Sequence, residues 1–486
     1  MSAEQLLERL TADQGEWPPK VDAGAWAQVG RWRAFRDGDT DTLRRIARFE
    51  RPDGTDRGYF CDSMPEKIAT TYANLIFGEN PDFTAANEAD QDRLTELVAE
   101  NGLPSELQLA SDLCVAEGEV WWRWLIDPAQ ADVPLMRFHS RAQVLALFRG
   151  RKPVAAGFVF VIDERDEKVW RLVEVHGDGE VLNVLFEGTR SSIGIRVNLQ
   201  SRAETADLPD RWAHGLPMLC GRVLNKLGRN PRLGVSDFKG VEDYLLALNE
   251  TATIGQENAR MTLKRRVVVP QRFLNADGTF PAGAEVIVAT DTDSDPDKPG
   301  QGLAQIEWSF DAQAFISYKQ ELEQTIAARV GLVPQIMGLQ GANTNDGTAA
   351  SGTSIRLRFL TSTLAAEGKA RHWDDALPYA LGLGQRLAAL PVKQGGLGQS
   401  WTDPLTAPSV ERQGALPEDQ TEEATRHAAL LGAEVESRQT AIEDMHPDWD
   451  EARVLEELAR IRADQDLTVG VEPVVGSAGT DVPVVR

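Results

Sequence analysis

The chain has 486 residues, enough for about two to four domains. Its apolar content of 42% and charged content of 26% are ordinary for a globular protein. The net charge of −24 argues against a conventional nucleic-acid groove binder, because such a protein presents a basic face to phosphate. The three cysteines are far apart and form no CxxC pair, which is typical of a reducing compartment.

The N-terminal residues predict an acidic amphipathic helix and not a signal peptide, because a basic start and an apolar centre are missing. The longest apolar run, near 154–162, is far shorter than the roughly 20 residues that a bilayer-spanning helix needs. We therefore expect a cytosolic chain or a component of a soluble assembly, with no membrane partner.

Residues 1–50 are predicted to be helices separated by loops, and a locally basic set lies within this region and directly after it. Its members are Arg33, Arg36, Arg44, Arg45, Arg48 and Arg51. We interpret this set as a solvated helix face with surface ion pairs. The alternative is a patch that faces phosphate or a neighbouring subunit. Further helices are predicted up to Val115, and from Glu119 to about Gln200 the apolar period changes to two, which predicts an antiparallel sheet.

The stretch from Gly234 to Gly352 predicts two long helices around a small β module. The first helix is expected to start with Ser236 as its N-cap and to end near Thr262, spanning roughly 40 Å. The second runs from Ala312 to about Val330. Both have narrow apolar stripes, which favours packing against copies of the same chain.

The remainder of the chain predicts mostly helices, which makes the fold class α+β. A Gly/Asn-rich loop at 338–352 precedes a long helix from Thr353 to about Gly382, which Pro378 is expected to interrupt or kink. Acidic helices follow up to about Ala463. The Val-, Gly- and Pro-rich tail at 464–486 is expected to be disordered.

Motifs that would indicate catalysis, a metal or a cofactor were not found in the sequence. The histidines are scattered at His139, His176, His214, His372, His427 and His446, and none forms an HxxxH pair. There is no GxxxxGK[ST] phosphate loop and no GxSxG nucleophile motif. We therefore predict no catalytic residues, no metal site, no cofactor and no enzymatic activity.

One acidic segment resembles the start of a calcium loop. It alternates Asp291, Asp293, Asp295 and Asp297. The EF-hand pattern then requires Gly at its sixth position and Glu at its twelfth, but Pro296 and Gly302 stand there. A solvated acidic loop is the preferred interpretation, and a specific cation site is left as the alternative.

Four stretches, in order along the chain, resemble the portal proteins of tailed bacteriophages. They are LIFGENP at 75–81, LGVSDFKGVEDYLLALNET at 233–251, SGTSIRLRFL at 351–360 and SRQTAIEDMHPDWDEARVLEELARI at 437–461. In the same order, they are similar to the family's early wing motif, its entry into the first stem helix, the start of its long wing helix and its C-terminal crown pattern.

The resemblance implies a portal-type fold of α+β class. It has a helical and antiparallel-β wing, two long stem helices that bracket a small α/β clip, a long wing helix after a tunnel loop, and a helical C-terminal crown. These parts would map to a wing at 1–235, a first stem helix at 236–262, a clip at 263–311, a second stem helix at 312–337, a tunnel loop at 338–352, the long wing helix and its connection at 353–417, a crown at 418–463 and a tail at 464–486.

The resemblance also implies a function in the virion, at one capsid vertex, after assembly in the host cytoplasm. The chain would form a homo-oligomeric ring, expected to be a dodecamer, whose channel conducts double-stranded DNA during packaging and ejection. Its other implied partners are terminase, the major capsid protein and a head–tail adaptor. Terminase carries the ATPase in the family, which agrees with the missing phosphate loop.

Candidate DNA-facing residues follow from this mapping. The loop supplies Gln340, Asn343, Thr344, Asn345 and Asp346, and the entry into the clip supplies the basic residues Lys264, Arg265 and Arg266. For the basic residues, intersubunit ion pairs or compensation of a helix C-terminus is the simpler interpretation. An acidic channel wall would leave duplex DNA mobile, because few phosphates are neutralised.

Two other functions remain open at the level of sequence. Another soluble connector or adaptor of a virion would have the same acidity and the same lack of catalytic motifs. A metal-dependent enzyme acting on nucleic acid would use the Asp291–Asp297 segment.

Overall fold

The computed structural model describes most of the chain, with gaps. The described residues are 3–12, 15–48, 58–230, 232–263, 266–270, 285–289, 304–306, 311–339, 352–412, 420–433, 435–446 and 449–469. They form two compact units, one comprising Met1–Gly347 with Phe359–Ala415 and the other comprising Thr348–Arg358 with Leu416–Arg486. No helix within the described ranges combines the length and apolarity that crossing a membrane requires.

Helices and antiparallel sheets confirm the mixed α+β class. The helices are α1 Ala3–Ala12, α2 Lys20–Asp37, α3 Thr40–Ala47, α4 Met64–Phe77, α5 Gln91–Glu100, α6 Leu103–Glu117, α7 Glu242–Leu263, α8 Ala312–Val330, α9 Gly352–Ala389, α10 Gln420–Gly432, α11 Arg438–Met445 and α12 Glu451–Val469. The strands are β1 Asp82–Thr84, β2 Glu119–Leu125, β3 Leu135–Ser140, β4 Val144–Arg149, β5 Lys152–Arg165, β6 Lys168–His176, β7 Glu180–Thr189, β8 Ser192–Val197, β9 Arg211–Ala213, β10 Cys220–Leu224, β11 Arg266–Pro270, β12 Glu285–Ala289, β13 Ala304–Ile306 and β14 Ser409–Glu411.

The region predicted as one antiparallel sheet is divided between two sheets. Strands β4 to β8 follow one another in the larger sheet, with β9 paired to β7, whereas β2 lies between β10 and β3. The chain leaves the smaller sheet through a short 3₁₀ turn after Ser140. The buried Glu117 carboxylate holds this turn, because it accepts hydrogen bonds from Ser140 Oγ (2.6 Å) and the Arg141 amide (3.1 Å).

Helix α9 continues through Pro378 to Ala389, so the predicted interruption is wrong. Its C-terminal half is buried against β2, where Trp124 Nε1 donates a hydrogen bond to the Ala380 carbonyl (2.8 Å). A Cβ atom at Gly384 would stand 2.6 Å from the Trp124 ring, so glycine permits this contact. Burial of the surrounding leucines offsets the hydrogen bond that proline removes.

Helix α7 begins at Glu242, so the predicted N-cap at Ser236 is wrong. Gly240 adopts a φ of +91°, which interrupts helical geometry between the two positions. The Ser236 hydroxyl instead accepts a hydrogen bond from the Phe238 amide (3.0 Å) in a buried turn. Glu242 is held by α2, because the Trp32 indole donates to its carboxylate (2.8 Å).

The predicted disordered tail also needs correction. Helix α12 extends to Val469, so residues 464–469 are helical, and 470–486 lie outside the described residues. Helix α8 spans the predicted range from Ala312 to Val330, which confirms that helix.

Candidate assembly surface on the α7–α8 helix pair

Helices α7 and α8 pack against each other in antiparallel orientation. At one end of the pair, Arg329 Nη2 donates a hydrogen bond to the Tyr244 hydroxyl (2.9 Å), and its guanidinium lies over the Tyr244 ring. Further along, Phe315 of α8 meets Gly255 of α7. We call the part of the pair near Tyr244 and Arg329 the inner half, and the part from Ile254 and Tyr318 towards the β module the outer half.

The contact at Gly255 requires glycine. A Cβ atom built on Gly255 would lie 2.0 Å from the Phe315 ring, far inside van der Waals contact. The ring therefore occupies the space that any other side chain would need. Glycine costs an interior helix position roughly 1 kcal/mol relative to alanine, and here the close approach of Phe315 explains its use.

The inner half is embedded in the main hydrophobic core. Its buried residues are Val241 just before α7, Leu245 and Leu248 from α7, and Leu322, Ile326, Ala327 and Val330 from α8. The end of α8 is also fixed by α4, since the buried Tyr72 hydroxyl donates to the Val330 carbonyl (2.5 Å). Burial raises the pKa of Tyr72, so this hydroxyl keeps its proton.

A buried ionic cluster, the Asp237–Lys369 centre, joins α9 to the turn before α7. Lys369 Nζ donates to Asp237 Oδ2 (2.5 Å) and to Asn225 Oδ1 (2.9 Å), and Lys226 pairs with the other carboxylate oxygen. The Lys369 ammonium also lies 4.2 Å from the Tyr72 ring centroid. Burial lowers the pKa of Lys369 to about 8; the Asp237 carboxylate opposes this shift and the Lys226 ammonium adds to it.

The middle of the pair is braced by an extended segment that precedes α4. The Phe60 amide donates to Thr253 Oγ1 (3.0 Å), and the Asp62 amide donates to Asn249 Oδ1 (2.8 Å). On the other helix, Lys319 Nζ forms an ion pair with Asp62 Oδ2 (3.0 Å). The segment therefore connects both helices at the transition from the inner to the outer half.

The outer half exposes large apolar side chains. Ile254 is 46% exposed, Ile316 46% and Tyr318 51%. Because a helix turns about 100° per residue, Ile316 is rotated about 100° to one side of Phe315 and Tyr318 about 60° to the other. Phe315 faces α7, so the two exposed side chains lie on opposite flanks of the pair. Each flank thus offers its own apolar contact.

Between the two helices the chain contributes a three-stranded module. Strand β11 lies at its centre, parallel to β12 and antiparallel to β13. The small β module predicted from the sequence between the two long helices is confirmed. Because β11 and β12 are parallel, they do not pair as a tight hairpin.

Most of the predicted DNA-facing residues lie outside the described residues. This applies to Gln340, Asn343, Thr344, Asn345 and Asp346, to Lys264 and Arg265, and to the acidic segment at 291–297. Arg266 is the first residue of β11, where its backbone pairs with Glu285 and Ile306. Their proposed roles therefore remain predictions.

Two arginines of the basic N-terminal set form ion pairs within the chain. Arg33 Nη2 lies 2.8 Å from Glu117, and Arg36 Nε lies 2.8 Å from Asp112. Both carboxylates belong to α6, so these contacts fix α2 on α6. They agree with the ion-pair interpretation for these two residues.

The Asp237–Lys369 centre was not predicted from the sequence. Its two charged residues are 132 positions apart, and neither belongs to a recognisable motif. The only available signal was a lysine on the otherwise apolar face of α9, next to Ala366, Ala370 and Trp373.

Comparison with known proteins gives structural neighbours without a family assignment. No family model matches the chain, and no curated protein matches it. A chain from the neck of a native gene transfer agent particle, computed with C12 symmetry, has a TM-score of 0.44 and 12% identity, covering 84% of this chain and 93% of that chain.

Two further neighbours come from the same kind of particle. A chain from the neck of an empty particle, computed with C6 symmetry, has a TM-score of 0.46 and 12% identity over 83% of this chain and 98% of that chain. A chain from the virion of a native gene transfer agent has a TM-score of 0.41 and 13% identity over 84% and 93%. At these scores the similarity does not assign the chain to a family.

Proposed function

We propose that this chain is the subunit of a phage-type portal ring, a non-enzymatic oligomer that forms a DNA channel at one vertex of a capsid. In this proposal α7 and α8 are the stem helices, the β11–β13 module belongs to the clip, and α10 to α12 belong to the crown. The ring, expected to be a dodecamer, conducts double-stranded DNA during packaging and ejection.

The observation that carries the proposal is the pair of apolar flanks on the outer half of α7–α8. A closed ring uses head-to-tail contacts, in which each subunit presents two different surfaces to its two neighbours. Ile316 and Tyr318 lie on opposite flanks of the same helix and are both about half exposed. A two-fold dimer would need a single self-complementary patch, so two opposite apolar flanks favour a ring.

The charge of the chain is compatible with a channel that conducts DNA without gripping it. With a net charge of −24, the chain as a whole repels phosphate, so any contact with DNA has to be local. We assign that contact to Gln340 and to Asn343–Asp346 in the tunnel loop, and a second one to the basic run at 264–266.

The remaining partners follow from the same proposal. Terminase would dock on the ring during packaging and supply ATP hydrolysis, a head–tail adaptor would replace it afterwards, and the major capsid protein would surround the ring. A different virion connector is the second candidate, favoured by the same acidity and lack of catalytic motifs. It gives no reason for a helix pair with two apolar flanks.

Oligomeric state tests the proposal. We expect the purified chain to form rings with a central hole in negative-stain images, and to elute as one large species in size-exclusion chromatography with light scattering. Ile316→Ser and Tyr318→Ser should each break the ring while leaving the circular-dichroism spectrum unchanged, because both side chains are exposed in the single chain.

Val392→Ser supplies the matched control, since Val392 is 70% exposed and lies in the turn after α9, away from the pair. It should leave the rings intact. A wild-type chain that stays monomeric at high concentration and in capsid-containing extracts would contradict the proposal. If Val392→Ser loses the ring while Ile316→Ser and Tyr318→Ser keep it, the contact between subunits does not lie on α7–α8.

The loop is tested separately by deleting Asn343–Asp346. Ring assembly should persist, whereas packaging or retention of DNA should fall. Unchanged packaging would mean that the loop only connects two helices and does not contact DNA in the channel.

A further inference from the structure

The second compact unit places three potential metal ligands together. His427 comes from α10, Glu436 from the connection after it, and Asp444 from α11. One imidazole nitrogen and one oxygen from each carboxylate lie within 4.8 Å of one another. The three residues are separated along the chain, so the turn between α10 and α11 creates this cluster.

The histidine of this cluster is buried, and one of its two ring nitrogens has a hydrogen-bond partner within the described residues. His427 is 2% exposed, and its Nδ1 lies 2.8 Å from Glu436 Oε2. Its Nε2 atom is buried and has no hydrogen-bond partner among the residues that the structure describes. Nδ1, the nitrogen beside Glu436, is therefore the ring atom that would bind an ion in this cluster, with the proton of the neutral imidazole on Nε2.

We propose that His427, Glu436 and Asp444 bind one Zn²⁺ ion. Imidazole nitrogen favours zinc and related transition metals, whereas magnesium and calcium prefer sites made entirely of oxygen. Zinc bound at about 2.0–2.2 Å to nitrogen and oxygen holds tetrahedral ligands roughly 3.3 Å apart, so a small movement of the side chains closes the site. Asp444 is exposed, which leaves a fourth position to water.

The small apolar core around this cluster explains why a bound ion would stabilise the second compact unit. Among the residues of α10–α12 whose burial is described, the buried apolar ones are Ala441, Val454 and Leu458. A core of this size stabilises a helical unit weakly, and small units are commonly held together by a metal. The ion would join α10 to α11 directly, and its binding free energy would add to the stability of this unit.

This inference is independent of the proposed portal function, because it concerns only contacts within one chain. The experiment uses the full-length chain, first treated with EDTA and then titrated with Zn²⁺ in a calorimeter. We expect one Zn²⁺ per chain, and Co²⁺ in its place should give the visible absorption of a low-coordinate site. Mg²⁺ in excess should not displace the Zn²⁺.

Three variants make the test specific. Asp444→Asn should weaken Zn²⁺ binding at least about tenfold, and His427→Gln should abolish it. Glu443→Gln is the matched control, one position away on α11 and hydrogen-bonded to Gln439, and it should bind as the wild type does. Because Asp444 is exposed, Asp444→Asn remains informative even if His427→Gln fails to fold.

The proposal is overturned by absence of stoichiometric Zn²⁺ binding to the wild type. It is equally overturned if Asp444→Asn binds with unchanged affinity, or if Mg²⁺ is preferred. In those cases the cluster is only a hydrogen bond between His427 and Glu436 that fixes the turn between two helices.

Discussion

The inner and outer halves of the α7–α8 pair differ in what their side chains contact. The inner half packs seven apolar residues into the main core and is joined to α9 through the Asp237–Lys369 centre. The outer half leaves Ile254, Ile316 and Tyr318 about half exposed. The same two helices therefore contribute stability at one end and, in the proposed ring, contacts between subunits at the other. Substitutions should separate these two contributions.

The largest effect is expected at the buried charges. Asp237→Asn removes the carboxylate that compensates Lys369, and breaking a buried pair in this way costs about 3–5 kcal/mol of unfolding free energy. Urea denaturation followed by tryptophan fluorescence measures the loss. The double variant Asp237→Asn/Lys369→Met should be more stable than Asp237→Asn alone, because the buried unpaired ammonium is gone and Lys226, the other cation that pairs with Asp237, is partly exposed to water. A loss below about 1 kcal/mol in Asp237→Asn would contradict the assigned role.

Two isoleucines of α8 provide the most direct comparison of the halves. Ile326 is fully buried and Ile316 is 46% exposed. Ile326→Ala should lower the free energy of unfolding by about 2–5 kcal/mol, whereas Ile316→Ala should change it by no more than about 0.5 kcal/mol. For ring assembly we expect the reverse order of effects. Ile316→Ala should fail to form rings at chain concentrations at which folded Ile326→Ala still forms them. Equal effects on stability would refute the division into halves.

The Asp237–Lys369 centre also predicts a dependence on pH. Lys369 has a pKa of about 8 in the folded chain against an ordinary value of 10.5. Between these values the unfolded chain binds more protons than the folded chain, so the contribution of Lys369 to stability rises with pH through that window. It amounts to at most about 3 kcal/mol. The difference in unfolding free energy between wild type and Lys369→Met, measured from pH 7 to pH 10.5, should change accordingly, and a flat difference would count against the shift.

A smaller effect is expected at Gly255. Gly255→Ala forces the Phe315 ring away and should cost about 1–2 kcal/mol, because overpacking outweighs the better helix propensity of alanine. In a Phe315→Ala background the same substitution should be neutral or stabilise by up to about 1 kcal/mol. The double-mutant cycle in urea denaturation measures this reversal. If Gly255→Ala stabilises the wild-type chain, the contact with Phe315 is not tight.

The sequence by itself determined the elements whose patterns are local. The narrow apolar stripe at helical spacing predicted α8, and the sequence between the two long helices predicted the small β module that β11, β12 and β13 form. The change of the apolar period to two residues at Glu119 marked the start of the sheet region. Hydrophobic periodicity reports which face of an element is buried, and this information is present in each segment alone.

Tertiary structure decided where these elements end and what they contact. Gly240 and the buried Asp237 delay the start of α7, and packing on β2 carries α9 through Pro378. The two polar clusters depend on pairing in space: Lys369 with Asp237 across the core, and His427 with Glu436 across a turn. Isolated lysines, aspartates and histidines have no periodic signal, because their energies depend on partners that only folding brings within reach.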